Sequence, residues 1–141
     1  AAFFGLPRLL LSDHPAQAMP SDASYLVAEG GLDHLDVYRS RHFVRDLESL
    51  RPHYLVVGAS AEGGSSLANL AQAKKPLALI LGNEEDGFPP ATARACETLI
   101  TIPGSGAVQS LNVAATGAIL VHALINIRTL DAIFSACGRR P

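Results

Sequence analysis

The sequence predicts an α/β domain, a mainly parallel sheet with helices on both faces. Three observations carry that expectation. Residues 54–57, 77–81 and 99–102 are continuous apolar runs rather than alternating ones, as strands covered on both faces require. Helical patterns separate most consecutive strands, which is how parallel neighbours are joined. Finally, residues 77–124 hold two of these runs, each ending in a loop of small residues, and then a long uncharged helix. Nearly all the polar atoms suited to chemistry fall at those strand ends, where open α/β sheets place their ligands.

In chain order, residues 1–5 read as a last helical turn stopped by Gly5. Residues 6–11 form a short strand with Pro7 tolerated at its start. Pro15 and Pro20 bracket a loop. Residues 21–28 form a short helix with Ser21 or Asp22 as N-cap, ended by Gly30-Gly31. Residues 35–39 alternate apolar and polar side chains and make a short strand. Phe43, Leu47 and Leu50 fall at i, i+4 and i+7, an amphipathic helix with Arg45, Asp46 and Glu48 outward. The strand at 54–57 ends at Gly58-Ala59-Ser60. After a flexible Gly63-Gly64, a helix is expected over 65–75 with Leu67, Leu70 and Ala71 inside and Lys74 and Lys75 at its negative end. A short helix at 92–97 follows Pro89-Pro90, and an apolar helix covers 111–127. No internal repeat or low-complexity run appears, and one domain is expected over 1–141.

The composition bounds the function. Of 141 residues, 48% are hydrophobic and 17% charged, so surface remains to be buried in a sheet or against a partner. A net charge of −2 and a pI near 6.2 exclude a chain that binds nucleic acid by bulk charge. Any phosphate contacts must come from a local patch or a missing domain; the best patch is Arg39, Arg41, Arg45 and Arg51, which are otherwise ordinary surface charge. Cys96 and Cys137 are too few and too far apart for a disulfide framework or a metal site, which points to a reducing, cytoplasmic setting. The opening AAFFGLPRLLLSD lacks the cationic leader and cleavage pattern of a signal peptide. Between Thr98 and Ile127 the one ionisable side chain is His122, but Pro103, Gly104 and Gly106 break the run, and Asn112, Thr116, His122 and Asn126 interrupt the rest. No membrane span is expected.

At the strand ends, Gly82 and Gly87 allow close backbone approach or positive φ, in a ligand loop or in a plain turn. Glu84, Glu85 and Asp86 form a solvated acidic run, or Glu84 turns into a cleft. Gly104-Ser105-Gly106 resembles an anion cradle, yet it lacks the P-loop lysine and the GxGxxG spacing. Ser110 suits an N-cap. Asn112, just inside an apolar helix, needs a partner if buried. His122 fits a core histidine, and no nucleophilic triad follows from the spacing.

Leu81-Gly82-Asn83-Glu84, Ile102-Pro103 and Ser110-Leu111-Asn112-Val113 together resemble the second and third motifs of the SpoU/TrmH family in order and spacing. These are S-adenosylmethionine-dependent RNA ribose 2′-O-methyltransferases of the SPOUT superfamily. Ala28-Glu29-Gly30-Gly31 through Val37-Tyr38-Arg39 also resembles the family's middle region. The resemblance implies a C-terminal trefoil knot, an exception to the rule against knots. It implies a cofactor held mainly by backbone at Gly58, Ala59, Leu81, Gly82, Ile102, Pro103 and Leu111. It further implies that Ser110 and Asn112 position the nucleotide, that Glu84 anchors the cluster, that no metal is needed, and that the molecule is a homodimer with the active site at the interface. The family's first motif places an asparagine and an arginine, assigned to activating the 2′-hydroxyl, shortly before a segment like Ala1-Ala2-Phe3-Phe4-Gly5. The sequence starts just past that point, so the resemblance implies an N-terminally incomplete domain, and Arg8 is no substitute.

The expected activity is methyl transfer to a ribose 2′-hydroxyl of tRNA or rRNA by direct displacement. The alternatives are a cofactor- or RNA-binding module without turnover and a dinucleotide-binding oxidoreductase, the latter disfavoured because no GxGxxG follows a strand.

Overall fold

The computed structural model describes residues 1–15, 17, 19–82, 87–107 and 111–137, with side chains of the last helix described to Ile127. The chain divides into two compact units, residues 1–46 and 47–141.

In the first unit a 3₁₀ turn at Ala2–Phe4 is closed by Gly5 in the left-handed region, φ 70°. Strand β1 (Arg8–Leu11) and strand β2 (Asp36–Arg39) pair in parallel, Arg8 opposite Asp36 and Leu11 opposite Arg39. Helix α1 (Asp22–Ala28) joins them, capped by reciprocal hydrogen bonds between Ser21 and Ser24. A 3₁₀ turn at Gly31–His34 leads into β2. Helix α2 (Phe43–Leu50) begins in this unit and carries the division. The apolar residues Leu9, Leu10, Val37 and Tyr38 stay substantially exposed on both strands.

The second unit is built on three parallel strands, β3 (Leu55–Ala59), β4 (Leu77–Ile80) and β5 (Thr98–Ile100), in the order β4-β3-β5. Gly58 lies opposite Ile80, and Ala59 opposite Ile100, so the three carboxyl ends come level. Alternation sorts the side chains onto two faces. On one, Val57 and Ile100 pack with Leu70, Leu120 and Leu124, flanked by Leu55, Leu77, Leu79 and Ile102. Leu120 and Leu124 come from helix α4 (Val113–Cys137), which covers this face. On the other, Gly58 meets Phe88, Cys96 and Leu99, where helix α3 (Pro90–Ala95) ends. The observed folds are α/β units with parallel sheets, as expected.

The helix expected over 65–75 is shorter. The observed element is a 3₁₀ turn at Leu67–Leu70, N-capped by Ser66 on the Ala68 amide. Its two anchors stand three residues apart, the 3₁₀ repeat, and Pro76 disfavours helical backbone just before it.

Candidate functional site

The level carboxyl ends of β3, β4 and β5 place Ala59, Leu81 and Ile102 along one edge of the sheet. Two glycines hold the loops there. A Cβ on Gly64 would come within 2.6 Å of Thr101 Oγ1 and 2.7 Å of the Thr101 amide nitrogen. The Gly64 N–H in fact donates to Thr101 Oγ1 at 2.9 Å, and Ser65 bridges to Ile100, so the loop after β3 is stitched to the end of β5. Sequence reasoning took Gly63-Gly64 for a flexible hinge and missed this. The informative signal was a pair of glycines followed by hydroxyl residues directly after a buried strand.

Gly82 packs against the backbone of Gly87, and a Cβ there would lie 2.6 Å from the Gly87 carbonyl oxygen. Gly87 has φ 69°, which favours glycine. The two glycines expected for ligand approach therefore pinch the base of the loop between them. Glu84, between these glycines in sequence, and Ser110, just before Leu111, both lie outside the described residues.

Asn112 is exposed, and its Oδ1 accepts the Ala115 N–H at 2.7 Å while its carbonyl accepts the Thr116 N–H. It is the N-cap of α4, the role the sequence suggested for Ser110. Asn112 is not a buried amide in search of a partner, and its Nδ2 hydrogens remain for other contacts. Gly117, on the first turns of α4, lets Leu81 approach, since a Cβ there would stand 3.0 Å from Leu81 Cδ1. Helix α4 thus begins beside the end of β4, and Leu81 and Leu111 both remain partly exposed. Among the described residues the backbone groups of Gly82 and Ile102 have no hydrogen-bond partner. Gly58 lies inside β3 with its α-carbon face filled by Leu99, Cys96 and Phe88, all within 2.9 Å of an added Cβ.

The proposed arginine patch divides. Arg51 donates to the carbonyls of Arg94 and Ala95, and Lys75 donates to the Arg51 carbonyl at 2.7 Å while approaching Glu97 at 3.9 Å. Glu97 Oε2 in turn accepts the Val56 N–H. Arg51 is a strut at the amino-terminal end of the sheet. Arg39 and Arg41 instead line an open cleft of about 490 Å³ with Ser40 and Asp13. Sequence reasoning did not single out Asp13; its place just past a short strand was the available signal.

Cys96 is buried, and desolvation raises its thiol above the ordinary 9.0, partly opposed by the Arg51 charge. Among the described residues no group of three or more His, Cys, Asp or Glu could hold a metal ion, and no helix is long and apolar enough to cross a membrane.

The model of the SpoU rRNA Methylase family matches residues 1–122. The chain is 34% identical over 94 residues to the 23S rRNA (guanosine-2′-O-)-methyltransferase RlmB of Nitrosomonas europaea, covering 66% of this chain and 36% of that protein. It is 30% identical over 107 residues to RlmB of Yersinia pestis, covering 75% and 43%. The chain therefore spans well under half the length of these relatives. Among solved structures, the TrmH/SpoU tRNA modifying enzyme of A. aeolicus superposes with a TM-score of 0.77 at 21% identity, over 94% of this chain and 67% of that one. The SpoU methyltransferase AviRb of Streptomyces viridochromogenes, in complex with AdoMet, superposes with a TM-score of 0.75 at 24% identity, over 91% and 52%. These two superpositions concern the fold, and the assignment rests on the sequence match. The chain belongs to the SpoU rRNA methylase family.

Proposed function

We propose that this chain is the methyltransferase domain of an RNA 2′-O-ribose methyltransferase that uses S-adenosylmethionine and acts on rRNA or tRNA. The observation that carries the reading is the level carboxyl edge of β3, β4 and β5, with backbone at Gly82 and Ile102 that has no partner among the described residues, beside the start of α4. A nucleoside sulfonium suits that edge. Leu81, Ile102 and Leu111 would hold its apolar base, and backbone groups from Ala59, Gly82 and Pro103, with Gly58 beneath, would hold its polar rim. When bound, the cofactor supplies an electrophilic methyl on a cationic sulfur.

The protein's share of the reaction is alignment and proton removal. Asn112, with Oδ1 fixed by the Ala115 amide, can present Nδ2 to the nucleotide from a rigid helix start. Ser110 and Glu84 are proposed beside it, the first on the nucleotide and the second as an anchor from the β4 loop. No metal enters the scheme. We further propose a single domain over 1–141 whose C-terminal segment is threaded as a trefoil knot, acting in the cytoplasm as a homodimer. The outward Ile119 and Val113 of α4 support the dimer, since both are apolar and exposed.

The test is methyl transfer from labelled S-adenosylmethionine to rRNA and tRNA, followed by alkaline digestion. A 2′-O-methyl removes the nucleophile that alkali uses, so labelled nucleotides should survive as alkali-resistant dinucleotides. A cofactor present at a hundredfold its Kd should add about 2.7 kcal/mol of stability. Cofactor binding without transfer would leave a binding module, and the absence of both would end the reading.

A further inference from the structure

The cleft in the first unit has no role in that scheme, and its construction is specific. Ser40 is buried, and three hydrogen bonds fix it. Its N–H donates to the Leu11 carbonyl at 2.9 Å, its Oγ–H donates to Asp46 Oδ2 at 2.5 Å, and its Oγ accepts the His42 N–H at 3.1 Å. Arg39 and Arg41 flank it, both exposed and both lining the cleft. β2 ends at Arg39 and the chain bends at Arg41, so the pinned Ser40 lies between two arginines that line one cleft. Among the described residues neither arginine has an ion pair or hydrogen bond. The two nearby carboxylates are engaged: Asp46 accepts from Ser40, and Asp13 Oδ2 accepts the Phe43 N–H at 3.3 Å at the first turn of α2. Two guanidinium groups lining one cleft supply the planar donor forks that suit a phosphate's oxygens.

We propose that the Arg39–Ser40–Arg41 cleft binds a backbone phosphate of the RNA substrate. This rests on the RNA methyltransferase reading. Phosphate contacts set register and orientation without reading sequence, so the cleft would hold the strand at a fixed place while other groups select the nucleotide. Asp13 bounds the cleft with a negative charge and keeps its affinity for a lone phosphate low, so that the strand must engage other contacts as well.

The experiment measures binding of the full chain to a short fluorescein-labelled single-stranded oligoribonucleotide over a range of salt. Arg39→Gln with Arg41→Gln should flatten the plot of log Kd against log salt by about 0.7 per lost contact. Lys74→Gln, which removes one positive charge from exposed surface elsewhere, should leave it unaltered. Arg39→Lys with Arg41→Lys should restore the slope but leave binding weaker, which also covers any failure of the glutamine pair to fold. Asp13→Asn keeps an acceptor for the Phe43 amide and should tighten binding. Inorganic phosphate at millimolar concentration should compete poorly; strong competition would assign the cleft to a free anion and overturn the proposal. An unchanged slope in the glutamine pair, with methyl transfer to RNA intact, would also overturn it while leaving the enzyme reading standing. Absence of cofactor binding and transfer in the wild-type chain would instead remove the reading beneath it.

Discussion

Arg51 donates from Nε to the carbonyl oxygen of Ala95 at 3.0 Å and from Nη2 to that of Arg94 at 2.8 Å. A guanidinium at the carbonyl end of α3 satisfies acceptors that the helix leaves open and sits well with its negative pole. Arg51→Met should lower stability by about 1–3 kcal/mol, measured by urea denaturation. Because the side chain is committed to these carbonyls, the salt dependence of RNA binding should not change.

The same arginine bears on Cys96. Burial raises the folded thiol above 9.0, with the Arg51 charge pulling the other way. The unfolded thiol then loses its proton first as pH rises. The contribution of Cys96 to stability is complete below pH 9 and declines from there toward the folded pKa. Urea midpoints taken between neutral pH and the alkaline range should fall less steeply in Cys96→Ala than in the wild type. Identical slopes would mean that the thiol's burial plays no part.

Gly82 is where sequence reasoning and structure assign different causes. A methyl there runs into the Gly87 backbone before any ligand is considered. Gly82→Ala should cost about 1–3 kcal/mol of stability, and the thermal shift given by S-adenosylmethionine should shrink with it. A variant of wild-type stability that has lost only the shift would show that Gly82 serves ligand approach rather than loop packing.

Asn112 carries two roles that one substitution can separate. Asn112→Asp keeps an oxygen for the Ala115 amide and discards the amide donors. Asn112→Ala loses both and should cost about 1 kcal/mol as a missing cap. If Nδ2 faces the nucleotide, methyl transfer should fall in both variants, while the melting temperature falls only in alanine. Transfer that follows stability alone would confine Asn112 to capping.

The parallel α/β class was readable because Leu55, Val56 and Val57, then Leu77, Leu79 and Ile80, leave no polar face for solvent. Local pattern also sufficed for α1 and α2. It failed over 65–75, where Leu67 and Leu70 stand at the 3₁₀ spacing and Pro76 disfavours helical backbone before it, and it placed the α4 cap two residues early. The Arg39–Asp13 cleft was illegible for a different reason. It exists only because β1 and β2 pair in parallel and bring two strand ends together, a relationship no single window contains. Arg51 was grouped with the candidate phosphate patch, since nothing local to residue 51 announces the carbonyls of Arg94 and Ala95.

The central position of β3 has a consequence for how the chain is made. As it leaves the ribosome, β3 can zip to β4 as soon as a modest loop has followed. Its other edge must wait for β5, and the covering leucines of α4 come later still. Through that interval Val57, Gly58 and Ala59 present an open row of amides and carbonyls, the kind of edge to which a second nascent chain can pair. Slowing translation between β4 and β5 should therefore raise the aggregated fraction without altering the finished fold, and any chaperone that helps this protein would be needed in that window.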